Sequence, residues 1–83
     1  MLILTQDRKR LINIDNLVEI YRYEYDSKIS YNVFDSAGNE MRIAEYNNTP
    51  EHENQIERIA EVYGAINCYV MPEEEIWPTK KNI

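Results

Sequence analysis

Residues 17–25 read "LVEIYRYEY". The stretch is rich in β-branched and aromatic residues, with Asp15 and Asn16 before it and Asp26 and Ser27 after it as turn residues, so it is predicted to be a strand. Successive strand side chains point to opposite sides, so Tyr21, Tyr23 and Tyr25 share one face. The pattern changes phase along the segment. Val18 and Ile20 make the even positions apolar at its start, whereas Arg22 and Glu24 make them polar at its end. Either a bulge shifts the register near Tyr21, or both faces of the sheet are partly covered. The three rings then face the protein's own core, a second copy of the chain, or a ligand that stacks on aromatic rings.

The segments around this strand extend the pattern. "LILT" (2–5) and "LINI" (11–14) are short apolar runs on either side of the polar tip "QDRKR" (6–10), which predicts a hairpin. After the Asp26-Ser27 turn, "KISYNVF" (28–34) alternates Ile29, Tyr31 and Val33 with Ser30 and Asn32. "DSAGN" (35–39) is a turn and "EMRIAEY" (40–46) a fifth strand. A helix is predicted next, with Thr49 as N-cap, Pro50 in the first position, and Glu51 and Glu53 at the positive end of its dipole. Ile56, Ile59, Ala60 and Tyr63 recur at helical spacing, Ile66 lies one turn on, and Gly64 is a candidate left-handed cap. Glu53, Glu57 and Glu61 form a flank that reads as a solvated face. "AINCYVM" (65–71) is a candidate last strand, and "PEEEIWPTKKNI" (72–83) lacks periodicity.

The expected fold is α+β: an antiparallel sheet of about five strands followed by one C-terminal helix packed on one face. Residues 1–72 form a single domain, and residues 73–83 an acidic, proline-flanked, extended tail. One helix covers one face only. A second copy of the chain is the expected cover for the other face, with Ile76 and Trp77 also docking near Tyr21 and Tyr23.

A chain of 83 residues builds a core that rarely supplies more than roughly 3 to 5 kcal/mol, which favours self-association as a further source of burial. The single cysteine, Cys68, cannot form an internal disulfide. No stretch approaches the roughly 20 apolar residues of a membrane span, and Met1 to Leu4 is too short for a signal peptide, so a cytoplasmic protein away from membranes is expected. The net charge is −6, and residues 46–83 carry three basic and seven acidic side chains against six and eight in residues 1–45. Such a field opposes phosphate backbones and favours a basic protein partner. General nucleic-acid binding is therefore not expected.

Few side chains suggest chemistry. Arg8, Lys9 and Arg10 gather on the hairpin tip, where they form either an anion-binding site or simply a polar turn; no glycine-rich cradle accompanies them. His52 is the only histidine, and its neighbours in "EHE" cannot converge with it on one ion because adjacent helical residues diverge. A packed or capping role is expected for it. Without a second histidine, neither a zinc site nor a serine-type triad can be assembled within one chain. Cys68, with no basic neighbour, reads as a small buried hydrophobe. No catalytic residue, metal or cofactor is expected. Tyr21, Tyr23 and Tyr25 remain as core or interface residues, a base-stacking platform being short of positive charge.

"LTQDRK" near the start, "AEYNNTPEHENQIERIAEVY" and "YVMPEE" together resemble small uncharacterised proteins of low-GC Gram-positive bacteria and their prophages. Thr5, Gln6, Tyr46, Tyr69, Met71 and Pro72 carry the likeness, which covers most of residues 2–75. Glu45 stands where the group has glycine, and His52 to Gln55 where it has alanine. The resemblance implies origin and fold, and brings no site residues. The expected function is a non-enzymatic interaction protein, homo-oligomeric, that binds or inhibits a host protein. The alternative is a binder of a nucleotide or similar anion, with sites between subunits formed by Arg8, Lys9, Arg10 and tyrosines.

Overall fold

The computed structural model describes residues 1–74. The protein is α+β, as its patterning predicts, but its strands divide between two sheets. The first contains β1 (Leu2–Leu4), β2 (Leu11–Asn13) and β6 (Cys68–Val70) in the order β2-β1-β6. The second is the antiparallel meander of β3 (Leu17–Tyr25), β4 (Lys28–Asp35) and β5 (Glu40–Asn47). The single helix of the described residues, α1 (Gln55–Val62), lies between β5 and β6. A single five-stranded sheet with a C-terminal helix is thus corrected on both counts. The cause is β6, which returns beside β1 in parallel register with Ile3 opposite Tyr69.

Each hairpin has a local cause. β3 and β4 are joined by Asp26 and Ser27, both at positive φ (46° and 62°), the conformation of a two-residue turn whose twist matches that of the strands. Between β4 and β5, the Asp35 carboxylate accepts hydrogen bonds from the Ala37 and Asn39 N–H groups, and Gly38 takes φ +88°. These bonds hold the Asp35 carboxyl below its ordinary range, with the Asn39 backbone contributing most.

Two irregularities set which residues face the core. The β3–β4 register shifts between Leu17 and Glu19, leaving Val18 exposed while Leu17 and Ile20 both pack against the core. This bulge sits three residues before Tyr21 and places Leu17 and Ile20, which differ in parity, on one face; from Ile20 onward the register is unbroken, so Arg22 and Glu24 continue on that face and the tyrosines on the other. A second shift, between Tyr31 and Asn32, leaves Ile43 of β5 without a partner, so the consecutive residues Ile43 and Ala44 are both buried.

The core gathers Ile3, Ile29, Tyr31, Val33, Ile43, Ala44, Tyr46, Ile59 and Met71 from both sheets and the helix. Burying an aliphatic or aromatic side chain stabilises by about 1.5 to 3 kcal/mol, so this cluster supplies most of the driving force. The helix is shorter than its sequence pattern predicts. Thr49 and Pro50 start a separate 3-10 turn (Pro50–His52), and Gly64 at φ +85° turns the chain back after Val62. Of the predicted stripe, Ile56 and Ile59 face inward, whereas Ala60, Tyr63 and Ile66 are exposed. Gln55 fills the inward position of the first turn; its N–H donates to the Tyr31 hydroxyl (3.2 Å) and its side-chain oxygen accepts from the Tyr69 hydroxyl (2.5 Å).

Gln6 ties the sheets together. Its N–H donates to the Ile43 carbonyl (2.9 Å), and its Oε1 accepts from the Glu45 N–H (2.7 Å). One step along, the Asn47 N–H donates to the buried Glu74 carboxylate (2.9 Å). The outer edge of β5 is therefore closed by side chains and by the continuation of β1.

Candidate interaction surface

The ladder of the meander decides where the tyrosines point. Cross-strand partners share a face, and Tyr21, Tyr23 and Tyr25 pair with Asn32, Ser30 and Lys28, whereas the core residues of β4 are Ile29, Tyr31 and Val33. The tyrosines therefore stand on the face away from the core. Tyr23 is 57% exposed and stacks on Tyr25, with ring centroids 5.7 Å apart. Tyr21 stacks on Phe34 at 5.9 Å.

Carboxylates border these rings. Phe34 lies between Glu19 of β3 and Glu40 of β5 in one cross-strand row. The Tyr21 hydroxyl donates to Glu40 and the Tyr25 hydroxyl to Glu45. Each hydrogen bond to an anion holds its phenol protonated above the ordinary tyrosine range. Arg42 neutralises Glu45 at 3.2 Å, which leaves Glu19 and Glu40 as the acidic side chains around the Tyr21-Phe34 pair. An aromatic pair between two carboxylates suits a cation, which gains both charge attraction and contact with the ring face.

The hairpin tip is arranged otherwise. Arg8, at φ 66°, turns its guanidinium inward and donates to the Met71 carbonyl (2.7 Å), with Glu73 3.7 Å away. Arg10 instead reaches Met41, its Nη1 3.0 Å from the sulfur. Lys9 donates its backbone N–H to the Asp7 carboxylate, which also accepts from the Thr5 hydroxyl, and these bonds lower the Asp7 pKa, Thr5 contributing most. The two guanidinium groups are thus engaged on different elements, and the tip carries its own anion. Between β2 and the meander lies an open cleft of about 390 Å³, lined by Arg10, Asn13, Asn16, Asp35 and Asn39 around Leu17 and Met41.

His52 is packed. Its ring lies on Tyr46, and its Nδ1 is 3.0 Å from the Thr49 hydroxyl and 3.2 Å from the Asn47 carbonyl. Glu74 approaches the same nitrogen at 3.9 Å. Cys68 is half-buried, with its sulfur 3.9 Å from the Tyr69 carbonyl. Ile76 and Trp77 lie outside the described residues. Phe34, Glu19 and Glu40 were not among the residues singled out from sequence. Strand alternation could have found Phe34, which differs in parity from Ile29, Tyr31 and Val33 and so falls on the tyrosine side. Compared with known proteins, the chain matches no family model, no curated protein and no solved structure. No helix of the described residues is long and apolar enough to cross a membrane.

Proposed function

We propose that this chain is a non-enzymatic interaction protein of bacterial or prophage origin that self-associates and binds a basic region of a host protein. The observation that carries the reading is the Tyr21-Phe34 stack between Glu19 and Glu40, on a sheet face turned away from the core. A partner arginine or lysine fits there by cation–π and charge attraction, and the net charge of −6 adds long-range steering. The likeness carried by Thr5, Gln6, Tyr46, Tyr69, Met71 and Pro72 supports the origin. An arginine-rich peptide titrated into the labelled protein should perturb the amides of Glu19, Tyr21, Phe34 and Glu40, more weakly as salt is raised. Glu19→Gln with Glu40→Gln should abolish the effect. Perturbations elsewhere on the surface, or none, would remove this reading.

The cleft beside Arg10 favours a second reading, a small-ligand binder, because about 390 Å³ is within the range of small-molecule sites. Asp35 in its wall selects against multiply charged phosphates and for a neutral or zwitterionic ligand. Thermal shifts with a nucleotide panel and an amino-acid panel separate these, a ligand at 100 times its Kd adding about 2.7 kcal/mol.

A further inference from the structure

The two edges of the meander are treated differently. On the β5 side, Gln6 takes the outward Ile43 carbonyl and Glu45 N–H, and Glu74 takes the Asn47 N–H. Residues Glu45 and Asn47 point outward, so Ala44 and Tyr46 bond to β4 through Tyr31 and Ile29. The alternation of an antiparallel ladder then turns Lys28, Ser30 and Asn32 toward β3, where they bond Tyr25, Tyr23 and Tyr21. It follows that the N–H and C=O groups of Ile20, Arg22 and Glu24 point out at the far edge. Among the described residues these six groups have no hydrogen-bond partner.

The sequence at that edge is complementary to itself. We propose that two copies of the chain pair antiparallel along β3 about a twofold axis at Tyr23, joining the two meanders into one six-stranded sheet. This rests on the reading of the chain as a self-associating interaction protein, and it names the surface and register. With the axis at Tyr23, Arg22 of each copy stands opposite Glu24 of the other, and Tyr21 opposite Tyr25. Arg22 and Glu24 both carry outward backbone groups, so they form the hydrogen-bonded pairs, and Tyr23 meets its own copy at the close, non-bonded position. Moving the axis to Arg22 or Glu24 would set like charges against each other, which is unfavourable across strands. Within each copy Arg22 already contacts Glu24 at 3.3 Å, so pairing creates a ring of four alternating charges on one face. On the other face, six tyrosines form a continuous row. No other occupant is matched so closely: a strand of arbitrary sequence would satisfy the backbone but would add no cross-strand partner to the Arg22-Glu24 pair.

Sedimentation velocity on the full chain at tens of micromolar should show a dimer. Arg22→Glu alone and Glu24→Arg alone each turn two attractive pairs into repulsive ones and should weaken it by about tenfold or more, while the double swap should restore it. Glu24→Pro removes an outward N–H without touching the β3–β4 ladder and should give a folded monomer. In a Cys68→Ser background, Tyr23→Cys should crosslink under mild oxidation, whereas Tyr21→Cys should not. A monomer throughout, or a dimer that ignores both single reversals, or a double swap that fails to restore it, would overturn the proposal; residues 75–83 or another protein would then be the occupant of the edge. Arg22 and Glu24 lie on the sheet face opposite the Tyr21-Phe34 pair, so these variants leave the cation-binding surface intact. Peptide binding by a monomeric variant would therefore separate the dimer from the partner site.

Discussion

The imidazole of His52 lies flat on the ring of Tyr46, with centroids 4.5 Å apart and planes inclined by 9°. Residues from β5 and from the 3-10 turn after it are thereby held together at the point where the chain leaves the meander for the helix. The Tyr46 hydroxyl extends the connection by donating to the Pro72 carbonyl (2.7 Å). His52→Ala removes the stacked ring and leaves the Thr49 hydroxyl without this partner, and should destabilise by about 2 to 3 kcal/mol. His52→Phe keeps the ring contact and should recover part of that loss. Urea unfolding of the three proteins measures both differences.

Alkaline pH tests the buried phenols. Burial is the chief cause that raises the pKa of Tyr46, Tyr31 and Tyr69 in the fold. A folded-state pKa above the unfolded value means that the contribution to stability is fully present below the unfolded pKa of about 10 and is lost as pH rises toward the folded value. Stability should therefore fall steadily above about pH 10. Tyrosinate absorbance should show Tyr46 ionising only together with loss of the circular dichroism signal. Tyr46 ionising in a fully native spectrum would contradict its place in the core.

Ile59 is 4% exposed at the centre of α1, among residues from both sheets. Ile59→Asp places an unpaired carboxylate there, a cost of about 4 kcal/mol or more. That is most of the stability of a domain this size, so the variant should be unfolded by circular dichroism. Ala60→Asp, one residue on and exposed, should change stability by less than about 0.5 kcal/mol beyond its helix propensity.

The local elements were legible because local chemistry makes them. The β3–β4 and β4–β5 turns follow from Asp26, Ser27, Asp35 and Gly38, and the β1–β2 hairpin from the polar tip between two apolar runs. Two features were hidden because their causes are distant in sequence. The parallel pairing of β1 with β6 joins residues more than sixty positions apart, and no periodicity within either three-residue strand announces it. Arg8 likewise looks like a free cation until the Met71 carbonyl is placed beside it. Gln55 misleads for a different reason. A buried side-chain amide is unfavourable unless satisfied, and its oxygen is satisfied by the Tyr69 hydroxyl while the Gln55 backbone N–H donates to the Tyr31 hydroxyl, two groups from different sheets. The aromatic surface was half readable: the shared face of the three tyrosines follows from their spacing, whereas its direction depends on the bulge at Val18.

Gln6→Ala tests the closure of β5. The Glu45 N–H loses its acceptor, which should cost about 1 to 3 kcal/mol. Hydrogen exchange should accelerate at Glu45 while the amides of Ala44 and Tyr46, bonded to β4, remain protected. Equal acceleration at all three would mean that the strand as a whole has been released.

A sheet with two bare margins is a monomer unit for polymerisation, since every addition exposes a fresh margin for the next. Among the described residues, the plug formed by Gln6 and Glu74 on β5 leaves β3 as the meander's open margin. The three-residue strands β2 and β6 offer too little backbone to start a second chain of additions. On the proposed pairing, strand addition at β3 would be self-terminating: the first event would consume the β3 edge, and among the described residues no comparable edge of the meander would be left to propagate into a fibre.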